Sequence, residues 1–159
     1  MKNVVIIGGG AAGLKAAISA ANKYRSGGAA VTVVEKNNRP ARKVMITGKG
    51  RCNVTNNCDM DALIANTPRN PRFLYSAFSK FLPLDVMALI ESQGVPLKTE
   101  RGNRVFPVSD KAVDIVDALV KLNRKNKIVE GTVQKIIWNQ NKITAVKLTD
   151  NRILEADAV

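Results

Sequence analysis

The 159-residue sequence predicts an α/β fold that consists of a parallel sheet, a helical insertion and a β-meander. Near the N-terminus, a short apolar run leads into a glycine-rich turn, an alanine-rich helix and a second apolar run. The middle of the chain shows helical periodicity, and from Lys127 onward the pattern changes to strands separated by turns. We expect the insertion to cover about residues 59–126 and the meander about residues 132–149.

The N-terminal segment predicts a βαβ unit. Asn3–Ile7 is typical of a strand that is buried on both faces. The helix that follows the glycines should reach about Tyr24, and a turn is expected at residues 26–28 (Ser-Gly-Gly). Val31–Val34 predicts the second strand, which ends at Glu35. Such units join parallel strands by a right-handed crossover.

The glycine-rich turn has the pattern Gly8-x-Gly10-x-x-Gly13, with Ala11 and Ala12 at the start of the helix. The first glycine permits a tight turn, the second lets the backbone approach a pyrophosphate, and the third lets helix and strand pack closely. Free N–H groups at the helix N-terminus suit phosphate. The pattern therefore predicts a Rossmann-like dinucleotide site.

Glu35, at the end of the second strand, stands where such sites use a carboxylate to bind ribose hydroxyls. A carboxylate there would repel a ribose 2′-phosphate, which argues against NADP at this motif. FAD and NAD both remain open at this point.

The middle of the chain predicts a loop followed by helices. Residues 36 to about 58 are expected to form a long loop, and a loop of this length usually carries function. A short helix is expected around Leu63, and another is expected to open at Pro83. Two extended pieces, over residues 95–99 and 104–108, come next.

Two further expectations concern this insertion. The phenylalanines Phe73, Phe78 and Phe81 should lie in the core, because apolar residues at helical spacing are usually buried. Ser109 or Asp110 should cap an amphipathic helix that follows.

The C-terminal part predicts a third parallel strand at Ile128-Val129 and then the meander, with strands over Thr132–Trp138 and Ile143–Leu148. Arg152–Val159 begins another strand, which should lie beside the first strand of the parallel sheet. The sequence stops in mid-strand, so we expect a domain that is incomplete at its C-terminus, within a longer protein.

Composition restricts the function further. The chain has 25 Lys and Arg, 13 Asp and Glu and no histidine, which is a formal net charge of +12. This charge favours anionic partners such as phosphates and nucleotides. The absence of histidine removes the commonest metal ligand, so we expect no metal site. No apolar run has the length of a membrane span or the form of a signal peptide, so we expect a cytoplasmic protein without a membrane partner.

Both cysteines lie in the run G-K-G-R-C-N-V-T-N-N-C, residues 48–58. Flavin-dependent disulfide reductases carry a C-x4-C redox pair after the same βαβ unit, but Cys52 and Cys58 are spaced C-x5-C, so we reject that interpretation. Arg51 and Asn53 offer hydrogen-bond donors for flavin or phosphate oxygens. Cys52 is expected to be a small packed residue, with a thiolate favoured by its cationic neighbours as the alternative.

Several motifs occur together in this chain: Glu35-Lys36, Arg42-Lys43, G-K-G-R-C-N-V-T-N over Gly48–Asn56, and R-V-F-P-V-S-D-K-A over Arg104–Ala112. With these motifs the whole chain resembles the N-terminal part of bacterial and archaeal flavoproteins described as NAD(P)/FAD-dependent oxidoreductases or as the aminoacetone-oxidase-like family. Lys49 departs from the family pattern, in which a third glycine is common.

The resemblance implies the FAD-binding portion of an oxidoreductase that acts on a small-molecule substrate, with NAD(P)H open as electron donor. It implies that Lys36, Arg42, Lys43, Gly48 and Gly50 belong to the cofactor site with the residues above. It also implies that Val133 meets the adenine. The catalytic residues, the substrate and the oligomeric state stay unknown. Two rival functions are an NAD-dependent dehydrogenase and a basic nucleic-acid-binding protein, although the latter lacks the aromatic platforms of such modules.

Overall fold

The structure, a computed structural model, describes residues 1–23 and 28–159. Tyr24 and the predicted turn residues Ser26 and Gly27 lie outside the described residues. The elements, in chain order, are β1 (Lys2–Ile7), α1 (Ala11–Lys23), β2 (Ala29–Glu35), α2 (Arg42–Ile46), a 3₁₀ turn (Thr47–Gly50), β3 (Thr55–Asn56), α3 (Met60–Ala65), α4 (Pro71–Phe78), α5 (Pro83–Glu91), β4 (Leu97–Glu100), β5 (Arg104–Pro107), α6 (Ala112–Leu122), β6 (Lys127–Glu130), β7 (Val133–Asn139), β8 (Lys142–Leu148) and β9 (Ile153–Glu155).

Two compact units make up the chain. The first comprises Met1–Val44 and Leu119–Val159, and the second comprises Met45–Ala118. The predicted insertion, residues 59–126, overlaps the second unit over residues 59–118.

The first unit contains a parallel sheet in the order β1-β2-β6. Val33 and Val34 of β2 point to opposite faces of the sheet and both are buried, as expected of a β-branched strand that is covered on both faces. The predicted βαβ unit and the third parallel strand are thereby confirmed. Ala158 forms a parallel bridge with Val4, and its carbonyl accepts from the N–H of Val5 (2.9 Å), which confirms that the last segment lies beside β1.

The second sheet of this unit is antiparallel, in the order β7-β8-β9, and confirms the predicted meander. The expected strand over Arg152–Val159 is interrupted, however. Its first part, Ile153–Glu155, pairs with β8, and only then does the chain reach β1. The reason is the turn at Asp150-Asn151, where Asn151 has a positive φ of 70° and returns the chain antiparallel to β8. Val146 and Leu148 of β8 are fully buried in the core of this unit.

The second unit contains a three-stranded antiparallel sheet, in the order β3-β5-β4, and the helices α3, α4 and α5. The prediction of one long loop over residues 36–58 is wrong, because α2, the 3₁₀ turn and β3 lie within it. A helix of five residues and a strand of two are too short to show a period in the sequence.

The prediction of buried phenylalanines is wrong for Phe73, whose side chain is 85% exposed. Phe78 and Phe81 are half-buried. Spacing shows which residues share a helix face but not which face is turned inward. On α4 the partly buried side contains Pro71, Leu74 and Phe78 instead.

The amphipathic helix α6 is confirmed, with Ala112, Val116 and Leu119 buried. Asp110 does not cap this helix. Its carboxylate accepts from Lys98 Nζ (2.7 Å), whereas the Ser109 hydroxyl accepts from the N–H of Lys111 (3.3 Å). Across the described residues no single helix has the length and apolarity needed to cross a membrane, although the bent pair α4 and α5 together meet that test.

Candidate cofactor-binding site

The glycine loop between β1 and α1 is closed against the protein at one end and open at the other. Gly8 has a φ of +100°, and its N–H donates to the carbonyl of Val34 (2.8 Å). A Cβ on Gly13 would lie 1.8 Å from the Gly8 oxygen, so only glycine fits there. A Cβ on Gly10 would meet no atom within 4 Å. This difference is what a loop requires when a ligand has to approach the backbone at the second glycine.

The N-terminus of α1 lies next to this loop. The first helical hydrogen bond runs from the N–H of Leu14 to the carbonyl of Gly10 (2.9 Å). The earlier N–H groups, including those of Ala11 and Ala12, therefore have no partner within the helix. Both alanines are exposed, and the first turn contains no acidic residue that would compete for an anion. The helix end is thus a donor-rich, partially positive surface.

Glu35 is buried, at 8% exposure, and both of its oxygens bind the protein. Oε2 accepts from the N–H of Gly9 (2.7 Å), and Oε1 accepts from the N–H of Asn37 (3.0 Å) and from the Asn37 side-chain amide. Burial by itself would raise the pKa of Glu35. The hydrogen bonds from Asn37 and Gly9, with the charge of Lys36, outweigh that effect and lower it. Glu35 is therefore a carboxylate at neutral pH, next to the glycine loop.

A recess of about 220 Å³ opens beside Glu35. The mainly apolar lining suits a flat, apolar ring better than a charged group. Four residues that were expected in the cofactor site belong to this lining: Gly8, Glu35, Lys36 and Val133. The lining residues are Ile7, Gly8, Val34, Glu35, Lys36, Gly131, Thr132 and Val133.

The two cations of α2 that were expected in the site belong to the first unit and are both exposed. Arg42 donates through Nη1 to Oδ1 of Asn37 (2.9 Å). Arg42 is thereby linked through Asn37 to Glu35. Lys43, the next residue, is exposed on the same short helix.

The residues Gly48–Asn53 belong to the second unit and form a loop with an unusual backbone. Left-handed φ values occur at Gly48 (56°), Lys49 (59°), Gly50 (82°) and Cys52 (62°). A Cβ on Gly48 would lie 2.6 Å from the N of Asn53, so a larger residue would break the turn. Lys49 replaces the glycine that is common in the family pattern, and its φ shows that the position does favour glycine.

Arg51 binds the second unit itself. Its guanidinium forms a bidentate pair with Glu100 (2.9 and 3.1 Å), contacts Asp110 (3.0 Å) and lies 4.0 Å from the centre of the Phe106 ring. The Arg51 hydrogen bond lowers the pKa of Glu100, and the Lys98 hydrogen bond lowers that of Asp110. The guanidinium donors of Arg51, which were predicted to bind flavin or phosphate, are thus engaged with carboxylates. The Asn53 amide, in its hydrogen-bonding orientation, donates to the carbonyls of Thr55 and Val105.

Cys52 is buried, at 4% exposure, and burial raises the pKa of its thiol. The expectation of a small packed residue is confirmed, whereas the burial of Cys52 and the raised pKa of its thiol argue against the alternative of a reactive thiolate. Cys58 is half-buried, and both thiols are free. Among the described residues there is no group of three His, Cys, Asp or Glu that could hold a metal.

The first unit therefore brings together what the diphosphate and adenosine of a dinucleotide require. The backbone is open at Gly10, helical N–H groups are free at Ala11 and Ala12, and an ionised acid stands at Glu35 beside an apolar recess. Sequence reasoning missed Asn37, which binds that acid. Its signal was weak but present, since asparagine side chains often bond to nearby groups in turns.

The comparisons with known proteins agree with this geometry. The profile of the HI0933-like protein Rossmann domain matches residues 2–159. The 3-dehydro-bile acid delta(4,6)-reductase of Clostridium scindens is 34% identical over 94% of this chain and 34% of its own. The ribosomal RNA dihydrouridine synthase of Escherichia coli is 32% identical over 74% of this chain and 28% of its own. The chain thus spans about a third of the length of these curated relatives.

A solved structure with the same fold is a variant of Escherichia coli quinol fumarate reductase FrdA. It superposes with a TM-score of 0.70 at 17% identity, over 99% of this chain and 31% of that one. The predicted Rossmann-like fold is thereby confirmed. Because the family profile covers nearly the whole sequence, the chain belongs to the HI0933-like protein Rossmann domain family, a family of FAD-binding oxidoreductases.

Proposed function

We propose that this chain is the N-terminal, FAD-binding part of a larger reductase, and that the protein reduces a carbon–carbon double bond conjugated to a carbonyl group. The observation that carries the cofactor assignment is the combination of a backbone open at Gly10 with the buried, ionised Glu35 beside an apolar recess. FAD is favoured over NAD because the family is one of FAD-binding oxidoreductases.

The type of reaction is suggested by the two curated relatives. A delta(4,6)-reductase of a 3-dehydro steroid and a dihydrouridine synthase both add hydrogen across a double bond of a carbonyl-containing ring. When bound, FAD would supply the hydride chemistry for such a reaction, and with NAD(P)H as the donor one NAD(P)H and one proton would be consumed for each saturated bond. The residues of this chain bind and orient the cofactor, and the substrate-binding residues are expected in the rest of the protein.

Within this proposal the substrate is a small molecule. The narrower assignment, to the aminoacetone-oxidase-like group, rests on the run Gly48–Asn56. A cytoplasmic location belongs to the same proposal, because both cysteines are free thiols, as in a reducing compartment.

A second candidate substrate is a uracil base within RNA. The first unit carries sixteen Lys and Arg against five Asp and Glu, and one of those acids, Glu35, is buried. Such an excess of positive charge favours a polyanion. The two substrates differ in a measurable way, because phosphate contacts would make turnover fall steeply with salt, whereas turnover of an uncharged enone would not.

The proposal is tested on the purified full-length protein. Its absorption spectrum and the mass of the extracted cofactor should identify FAD. Anaerobic mixing with NADH or NADPH should bleach the flavin, and an enone or a uridine-containing RNA should restore its colour. A colourless protein that retains no FAD would refute the cofactor assignment. A flavin that is reduced by NAD(P)H but reoxidised by neither substrate class would refute the proposed reaction.

The 159-residue chain alone is proposed to be inactive and to hold FAD weakly, since substrate residues are expected outside it. Expression of the chain beside the full-length protein checks this expectation. A yellow, monodisperse and FAD-saturated 159-residue chain would contradict it.

A further inference from the structure

Four residues of the first unit form a continuous chain of hydrogen bonds beside the glycine loop. Gly9 donates its N–H to Glu35 (2.7 Å), Asn37 donates its side-chain amide to the other oxygen of Glu35, and Arg42 donates to the oxygen of Asn37 (2.9 Å). Asn37 is the link between the acid and the cation. Nothing in the family pattern quoted above gives this residue a role.

This series of hydrogen bonds requires at its centre a side chain that both donates and accepts. A carboxylate can only accept hydrogen bonds, and a guanidinium can only donate them. Between Glu35 and Arg42, a side chain must therefore donate on one side and accept on the other. The Asn37 amide does both, through Nδ2 and Oδ1. An aspartate of the same shape would present an oxygen to the Glu35 carboxylate and repel it.

The bonds to Asn37 also limit what Glu35 can offer a ligand. A carboxylate has about four acceptor positions. Three are used within the protein, by the N–H of Gly9 and by the N–H and the side-chain amide of Asn37. Glu35 can therefore accept from about one ribose hydroxyl without losing a bond, and two of the three bonds that hold its carboxylate come from Asn37.

We infer that Asn37 is a positioning residue of the FAD site, which orients the Glu35 carboxylate toward the ribose and couples that orientation to Arg42. This inference rests on the proposed function, since it assumes that FAD binds at Glu35. It goes beyond that function by assigning a determinant of cofactor affinity to a side chain that does not itself have to touch the cofactor.

The chain offers a matched control at the next position. Asn38 is exposed, and no side-chain hydrogen bond of this residue occurs in the described structure. Asn37→Asp and Asn38→Asp add the same charge one residue apart, and only the first places that charge against Glu35. Asn37→Ala removes the amide without adding charge, and is measured as well because Asn37→Asp could unfold the loop.

The experiment is a fluorescence titration of the apo full-length protein with FAD, together with a thermal melt of each apo variant. At pH 7, Asn37→Asp should raise the Kd for FAD by about tenfold or more, because a hydrogen bond to a charged group is replaced by repulsion. This loss should shrink near pH 5, where the new carboxyl group begins to protonate and can donate. Asn37→Ala should raise the Kd by a smaller factor that does not depend on pH, and Asn38→Asp should change it by less than about twofold.

Each outcome has one meaning. If Asn37→Asp and Asn38→Asp weaken FAD binding equally, or if Asn37→Ala binds FAD as the unmodified protein does, the positioning role is overturned while the proposed function stands. If the unmodified protein itself does not bind FAD, the proposed function fails and the inference fails with it. A variant with an intact melt, weakened FAD binding and recovery at low pH would support the inference.

Discussion

Gly10→Ala and Gly13→Ala make the same chemical change three positions apart, and the structure predicts opposite results. At Gly13 the added Cβ would lie 1.8 Å from the carbonyl oxygen of Gly8, whereas real Cβ contacts essentially never fall below 3.0 Å. The missing separation of more than 1 Å is between the added Cβ and a backbone oxygen, so β1 and α1 would have to move apart. At Gly10 the added Cβ meets nothing within 4 Å.

These distances set the expected magnitudes. Overpacking against backbone at Gly13 should cost about 3 kcal/mol or more of unfolding free energy. For a chain of this size that lowers the melting temperature by roughly 6–12 °C. Gly10→Ala should leave the unfolding free energy unchanged or raise it by about 0.4–1 kcal/mol, because alanine restricts the unfolded chain without strain in the folded one.

Gly10→Ala, the more stable of the two variants, should be the one that loses FAD affinity. The Cβ of Gly10→Ala would occupy the space through which a pyrophosphate reaches the loop, and we expect the Kd for FAD to rise about 100-fold, or about 2.7 kcal/mol. Thermal melts of the apo proteins and fluorescence titrations with FAD measure both quantities. A Gly10→Ala protein that binds FAD normally, or a Gly13→Ala protein that melts like the unmodified one, would refute the reasoning.

Three further predictions concern the second unit. In the native protein Ellman's reagent should react with Cys58 well before Cys52, because burial removes access to Cys52 and raises the pKa of its thiol; equal rates would contradict this. Lys49→Gly should raise the unfolding free energy by about 0.5 kcal/mol in urea melts. The substitution relieves a left-handed φ of 59°, and this gain is partly offset because glycine increases the conformational entropy of the unfolded chain. A loss of stability would show that the lysine has a packing role. Because the pKa values of Glu100 and Asp110 are lowered in the folded state, their contribution to stability is present at neutral pH and is lost as the pH falls below the ordinary carboxyl pKa values toward the lowered ones. A Glu100→Gln, Asp110→Asn double variant should therefore show a smaller loss of stability on acidification than the unmodified protein.

The parts of this structure that the sequence predicted are those with local signals. The parallel strands are continuous β-branched runs, and the glycine spacing, with the acid at Glu35, specifies a turn, a close approach and a helix start within one segment. The assignment of Val133 to the cofactor site came from the family resemblance and not from a pattern in the residues themselves. Fold class and cofactor class could therefore be predicted together, since one motif carries both.

The parts that could not be predicted depend on long-range contacts. The partner of Arg51 is Glu100, 49 residues away, and no spacing rule connects them. A guanidinium in a loop can serve a ligand or the protein equally well, and only the fold shows that two carboxylates and the Phe106 ring surround this one. The exposure of Phe73 has a similar cause, because the direction of a helix face is set by what packs against it.

Long-range contacts within the first unit also explain why the glycine loop has its shape before a ligand binds. Gly9 is held from both sides: its N–H donates to Glu35 (2.7 Å), and its carbonyl accepts from the N–H of Ala41 (2.8 Å). A Cβ on Gly9 would lie 3.1 Å from the Cβ of Glu35 and 3.2 Å from that of Pro40, so the loop is also closely packed there. A backbone that is ordered on folding does not lose that freedom on binding, which favours affinity. Glu35 therefore acts on the cofactor twice, through the ribose that it is proposed to bind and through the loop that it holds in place.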